Sequence, residues 1–195
     1  MRAVLISIQP QWCEKIASGE KTIEVRKTAP KEVPFKAYIY CTNQKFDGEI
    51  LLAIDKKVER RYRYCRDNGD IPLAGKVIGE FICDNVYPIK NQGSRFFVAN
   101  GELGVTNDIA RQSCLDYDDM VSYLGNKDGY GWQINDLKIY DKPKELSEFR
   151  VPCPTSCENC KNPLYYECWC EEKGIKVITR APQSWQYVEE LEDEN

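Results

Sequence analysis

The chain has 195 residues, 42% hydrophobic and 30% charged, and no apolar run reaches the roughly 20 residues that span a bilayer, so we expect a folded cytoplasmic protein without a membrane partner. It contains no histidine, which excludes a Ser-His-Asp triad, a Cys-His dyad and any histidine-ligated metal. Five acidic residues in 189–195 account for the net charge of −4, because the rest of the chain carries 27 basic and 26 acidic residues. A nearly neutral body does not predict a broad phosphate-binding surface and permits only a local basic patch.

The first part of the chain predicts a buried strand, a helix and two more strands. Pro10 suits the first turn of a helix, where its missing N–H costs little, and Gly19 is a natural helix end. Apolar and β-branched residues predict strands over 3–8, 22–27 and 36–42.

The second part predicts mostly strands. Residues 50–67 place Ile54, Val58 and Cys65 at helical spacing, which predicts a helix whose other face is basic. A second helix is predicted over 114–124, with Ser113 as its cap, and residues 91–112 lack a clear period and are interpreted as a loop or insertion. Further strands are predicted at 76–83, 86–89, 132–140, 176–180 and 184–188. Many short strands with few helices favour a β-rich α+β domain, such as a small barrel.

The predicted strand at 22–27 carries an unusual number of charges. Thr22, Glu24 and Arg26 share one face by alternation, and Lys21 precedes them. Two interpretations remain open at this point. The charges protect a solvated edge strand, or they line a cleft that binds a nucleobase edge and a phosphate.

The spacing Gly19-x-Lys21-x-x-Glu24-x-Arg26, after an N-terminal strand and helix, resembles the signature of the ASCH domain family. Segments at 126–132, 138–149 and 180–188 also resemble segments of uncharacterised bacterial and phage ASCH proteins, so the similarity covers most of the chain outside 91–112. The resemblance implies a phage or prophage protein with one domain over 1–195. It implies an α+β, PUA-like fold, a small β-barrel with flanking helices.

The resemblance also implies binding of RNA or a nucleotide in a cleft lined by Lys21, Glu24 and Arg26. Some small relatives are amidohydrolases that act on N4-acetylcytidine, but Glu24 stands where they have a reactive threonine, with Thr22 nearby. A hydrolase of a modified nucleoside or of RNA is therefore the alternative, with Lys21 and Glu24 as its catalytic acid–base pair. Binding of another protein through the same surface is a third interpretation. The absence of histidine and of that threonine favours binding over catalysis.

Five cysteines cluster within a predicted insertion over 151–172. Their close spacing around a C-x-x-C pair suits a tetrahedral zinc ion, whose binding would supply folding energy to a loop without an apolar core. Free thiols and a disulfide or redox pair are the other interpretations. The predicted structural zinc ligands are Cys157, Cys160, Cys168 and Cys170, with Cys153 as an alternative.

Two further groups of residues are candidates for contact with a nucleic acid. Arg61 and Arg63 lie among tyrosines in the basic segment 60–66, which is typical of a phosphate-binding or a merely solvated surface. Aromatic and polar residues beside turns could stack on or hydrogen-bond a base, or fill the core and satisfy the turns. These residues are Trp132, Gln183, Ser184 and Trp185, with Tyr130 nearby.

Overall fold

The computed structural model describes residues 2–43, 51–54, 62–65, 71–91, 96–98, 109–125, 127–152 and 177–191. Three α-helices occur in these residues: α1 (Pro10–Ala17), α2 (Ile109–Ser113) and α3 (Tyr117–Leu124), with a 3-10 turn at Leu146–Glu148. The strands are β1 (Arg2–Ile8), β2 (Ile23–Arg26), β3 (Phe35–Cys41), β4 (Leu51–Ile54), β5 (Tyr62–Cys65), β6 (Ile71–Pro72), β7 (Val77–Cys83), β8 (Val86–Asn91), β9 (Phe96–Val98), β10 (Gly129–Gln133), β11 (Asn135–Lys144) and β12 (Trp185–Val188).

A five-stranded mixed sheet forms the centre of the fold, in the order β11-β7-β3-β1-β12. β1 runs parallel to β3 and antiparallel to β12. Side chains alternate along β1, so that Val4, Ile6 and Ile8 face α1 and one core, while Ala3 and Leu5 face a second core. Burial on both faces explains why residues 3–8 read as a continuous apolar run.

A second sheet, in the order β2-β10-β8-β9, carries the charged strand at its edge. Ile23 and Val25 of β2 pack with Leu124 of α3 and other apolar side chains in a third core. The opposite face of β2 therefore presents Glu24 and Arg26. Ser18 is the C-cap residue of α1, and Gly19 follows it with a φ of 79°. Glycine adopts this left-handed conformation without steric strain, which makes it common just after the end of a helix.

The helix predicted over 50–67 is wrong, because the structure places two antiparallel strands, β4 and β5, within that range. These strands form a third sheet with β6 and come close to α1. Tyrosine and arginine alternate in Tyr62-Arg63-Tyr64, and period-2 alternation with aromatic residues favours a strand. The few apolar positions at helical spacing were a weaker signal.

Four other local predictions need correction. Asp116, rather than Ser113, caps α3 through reciprocal hydrogen bonds with Asp119. The strand predicted over 132–140 is two strands, because the chain leaves the second sheet after Gln133 and enters the first at Asn135. Of the strand predicted over 176–180, Val177 makes one isolated bridge to Arg150. The predicted loop at 91–112 contains β9 and most of α2.

The architecture is α+β, as predicted. The strands of the described residues pair in three sheets, and none of these sheets closes into the expected small barrel. Within the same residues, no helix is both long enough and apolar enough to cross a lipid bilayer.

Candidate functional site

The charged residues of the signature are buried together. Lys21 is 2%, Glu24 6% and Arg26 5% exposed, so the interpretation as a solvated edge strand is wrong for these side chains. β2 is nevertheless an edge strand of its sheet in the described part of the chain. Alternation directs Ile23 and Val25 into the core, and the same alternation directs Glu24 and Arg26 to the other face.

Glu24 lies between the two cations. Its Oε1 is 2.9 Å from Nη2 of Arg26, and its Oε2 is 3.4 Å from Nζ of Lys21. Because two cations share one carboxylate, these three side chains carry a formal net charge of +1 when all are ionised. An uncompensated buried charge is costly in a protein interior unless a counter-charge or hydrogen bonds stabilise it.

Lys21 is held by groups from three elements. Its Nζ donates a hydrogen bond to the carbonyl oxygen of Ser113 at 2.5 Å and lies 5.3 Å from the ring centroid of Trp12 in α1. Burial lowers the pKa of Lys21 below its ordinary value, although the neighbouring Glu24 carboxylate opposes this shift. The backbone carbonyl of Ser113, the last residue of α2, therefore accepts a hydrogen bond from the ammonium, a contact that no sequence pattern indicated.

Arg26 joins three segments of the chain. Its Nη2 donates to the carbonyl oxygen of Ser7 in β1 at 2.6 Å, and its Nη1 lies 3.5 Å from Oγ of Ser184. Ser7 in turn donates its hydroxyl to the carbonyl oxygen of Pro182 and its N–H to the carbonyl oxygen of Ser184. The guanidinium thus fixes the segment before β12 against β1 and β2.

Two polar atoms of the cluster lack a hydrogen bond. Among the residues that the structure describes, Oε2 of Glu24 and Nε of Arg26 are buried without a hydrogen-bond partner. Buried polar groups are nearly always satisfied, so such atoms need an explanation. Functional sites are one place where unsatisfied groups are retained.

A cavity of about 470 Å³ opens beside the cluster. Lys21, Glu24, Arg26 and Gln183, four of the predicted ligand-binding residues, line it. The other lining residues come chiefly from the end of β1, from α1 and from α3: Ser7, Ile8, Gln9, Gln11, Trp12, Val25, Thr42, Leu115, Asp119, Ser122 and Tyr123.

Sequence reasoning missed the wall formed by α3. Asp119, Ser122 and Tyr123 follow the i, i+3, i+4 spacing of one helix face, and all three line the cavity. Leu124 and Met120 on the other face enter the third core. The amphipathic pattern of α3 could have identified this polar face, but nothing local indicated that it would meet β2.

Three aromatic or polar candidates lie elsewhere. Trp132 is fully buried and packs edge-to-face against Phe35 at 5.0 Å, so it belongs to the core. Trp185 donates from Nε1 to Oγ1 of Thr28 at 3.0 Å and contributes nothing to the cavity wall. Thr22 is exposed and precedes β2, so it does not share the buried face with Glu24. Ser184 does reach the cluster, through Arg26.

The remaining candidates lie wholly or partly outside the described residues. Arg61 is outside them, and for Arg63 the structure gives the backbone of β5. Cys153, Cys157, Cys160, Cys168 and Cys170 are outside them as well. The predicted zinc site therefore stays a prediction.

Comparison with models of known protein families gives no match, and neither does comparison with curated protein sequences. The fold is similar to that of the ASCH protein from Zymomonas mobilis, with 16% identity, a TM-score of 0.52, and coverage of 95% of this chain and 86% of that one. Two single-residue variants of that protein also match with 15% identity each, at TM-scores of 0.52 and 0.51, covering 96% and 95% of this chain and 90% and 87% of theirs. The chain therefore has an ASCH-like fold.

Proposed function

We propose that this protein binds RNA or a nucleotide in the cavity beside Lys21, Glu24 and Arg26. The observation that carries the proposal is the buried cluster of two cations and one carboxylate at the floor of a cavity of about 470 Å³. Small-molecule sites typically occupy about 300–1,000 Å³. A ligand that brings negative charge would compensate the excess positive charge of this floor.

Arg26 offers the clearest point of attachment. Its Nη2 is already committed to Ser7 and Glu24, whereas its Nη1 makes a long contact of 3.5 Å with the Ser184 hydroxyl. A phosphate or base oxygen could replace that long contact with a shorter, charge-assisted hydrogen bond. Gln183, exposed at the rim, carries an amide that can both donate and accept.

The arrangement favours binding over hydrolysis. Nζ of Lys21 donates a hydrogen bond to the carbonyl oxygen of Ser113, forms an ion pair with Glu24 and lies over the ring of Trp12, so the ammonium already has structural partners. A general base must reach the proton that it removes, and Glu24 is held between the two cations. Thr22, the alternative nucleophile, is exposed and does not line the cavity.

The nucleic-acid part of the proposal is supported by resemblance. The charged signature resembles that of ASCH domains, and the likeness to solved ASCH structures supports a PUA-like fold. The β5 strand, which carries Arg63, comes close to α1, the helix that contributes Gln11 and Trp12 to the cavity lining. Arg61 and Arg63 would extend the site toward the phosphates of a longer RNA.

The test is equilibrium binding of a labelled pool of short single-stranded RNA at low and moderate salt. Arg26→Lys keeps the charge but loses the planar fork of donors, and we expect it to weaken binding by about tenfold to a hundredfold. Gln183→Ala should weaken binding less. Both variants are compared with wild type for thermal unfolding, so that a loss of affinity is not mistaken for a loss of fold.

Matched controls are available on the same chain. Arg2 pairs with Glu32 on the surface, and Gln186 lies on β12 away from the cavity, so Arg2→Lys and Gln186→Ala should bind like wild type. Wild type that binds neither the RNA pool nor mononucleotides would refute the proposal. Equal affinity of wild type and folded Arg26→Lys would remove the cavity from the binding site.

A further inference from the structure

Two aromatic residues line the cavity from different helices. Trp12 lies on α1 and Tyr123 on α3, and both are partly exposed. No other residue that the structure describes in the cavity lining is aromatic. Flat apolar rings at the wall of a polar, charged cavity are suited to contact the face of another ring.

Each of these rings has a cation beside it. Nζ of Lys21 lies 5.3 Å from the ring centroid of Trp12, and Nζ of the exposed Lys27 lies 5.2 Å from that of Tyr123. Each ammonium lies over one ring face, and core side chains pack against both residues, so these contacts hold the rings in place and a base would contact the part of each ring that the cavity leaves exposed. Lys27 also places an exposed positive charge near Tyr123, where a phosphate of a bound strand could be neutralised.

The dimensions and chemistry of the cavity select among nucleic-acid ligands. Its volume of about 470 Å³ falls within the range of single small-molecule sites and is far too small for a double helix. The bases of an A-form duplex are stacked on one another and hide their faces, whereas unpaired bases can be turned outward onto aromatic side chains. Rings in a recess therefore favour one unpaired base.

We propose that the cavity receives a single unpaired nucleotide, with its base stacked on Trp12, Tyr123 or both. This inference rests on the proposed function and identifies its ligand as one extruded or single-stranded base with its phosphate. The stacking role thus moves from Trp132 and Trp185, which the sequence suggested, to residues of α1 and α3.

The experiment uses a short RNA that carries one 2-aminopurine, either single-stranded or paired in a duplex of the same sequence. Stacking on an aromatic side chain quenches the fluorescence of this base. We expect wild type to quench the single-stranded probe and to bind the duplex at least tenfold more weakly. Trp12→Leu and Tyr123→Leu keep apolar bulk but remove the ring, and at least one of them should lose about fivefold to a hundredfold in affinity and most of the quenching.

Trp12→Phe and Tyr123→Phe are the conservative partners, because they retain an aromatic face and should retain most of the affinity. If Trp12→Leu fails to fold, Tyr123→Leu and the quenching of the single-stranded probe by wild type still test the stacking. Tyr130→Leu is the control, because Tyr130 is exposed on β10 outside the cavity.

The outcomes separate the two proposals. RNA binding that depends on Arg26 but is unchanged in both leucine variants would overturn the stacking and leave the proposed function intact. Equal affinity for duplex and single strand would likewise overturn the single-nucleotide ligand. Absence of binding to any probe by wild type would overturn the proposed function, and the stacking inference with it.

Discussion

Replacement of Glu24 by glutamine tests the electrostatics of the site most directly. Glutamine has nearly the same shape, so Glu24→Gln removes a charge and leaves the packing almost unchanged. The carboxylate is 2.9 Å from Arg26 and 3.4 Å from Lys21, and all three side chains are less than a tenth exposed. Without it, two positive charges face one another in a buried space with no negative partner between them.

The expected loss of stability follows from that geometry. Removing one partner of a buried ion pair typically costs about 3–5 kcal/mol, because the remaining charge is left uncompensated. Here two cations lose their shared partner, so we expect the free energy of unfolding to fall by at least about 3 kcal/mol. For a chain of 195 residues, this corresponds to a decrease in melting temperature of roughly 6 °C or more.

Urea unfolding at pH 7, followed by circular dichroism, measures the effect. The matched control is Glu20→Gln, which breaks a pair 3.0 Å from Lys15 in which both side chains are well exposed. We expect this control to change stability far less, because solvent screens exposed pairs. If Glu24→Gln unfolds at the same urea concentration as Glu20→Gln, the cluster is solvated and our electrostatic reasoning is wrong.

Two further predictions concern the cysteines. Burial raises the pKa of Cys83 to about 12, from 9.0, so folding favours the protonated thiol and this contribution to stability is lost as the pH rises between those values. The stability difference between wild type and Cys83→Ala should therefore shrink from pH 9 to pH 12; a constant difference would contradict the shift. Protein purified without added metal should contain about one zinc ion per chain, and the zinc content should fall after Cys157→Ser or Cys160→Ser. The control variant Cys114→Ser should leave the zinc content unchanged. A folded wild-type protein without zinc would rule out the structural zinc site.

The sequence predicted those elements whose burial is uniform or strictly periodic. The strands β1, β3 and β7 are long and apolar. Pro10 marks the start of α1, and Gly19 marks the turn that follows its end. The helix prediction for residues 50–67 is wrong because a few apolar positions match a helical period by chance. In β5, which pairs with β4, the alternation of tyrosine and arginine was the better signal.

Only those residues of the site that are close to one another in sequence could be predicted. Lys21, Glu24 and Arg26 are close in sequence, and strand alternation alone places the last two on one face. The contacts that complete the cluster come from Ser7, 19 residues away from Arg26, and from Ser113, 92 residues away from Lys21. Backbone carbonyls carry no sequence signal, so their arrival at the two cations depends on the tertiary fold.

Under the proposed function, the same cluster would couple ligand binding to stability. A buried excess of positive charge lowers the stability of the free protein, and an anionic ligand that compensates this charge binds the folded chain but not the unfolded one. Such a ligand raises stability by about 2.7 kcal/mol when its concentration is a hundred times its Kd. Arg26 also holds the 182–184 segment against β1, so the same side chain keeps Gln183 at the rim. Under the proposed function, selection for stability alone would remove the excess charge and selection for binding would retain it, which would account for the burial of Lys21, Glu24 and Arg26 together.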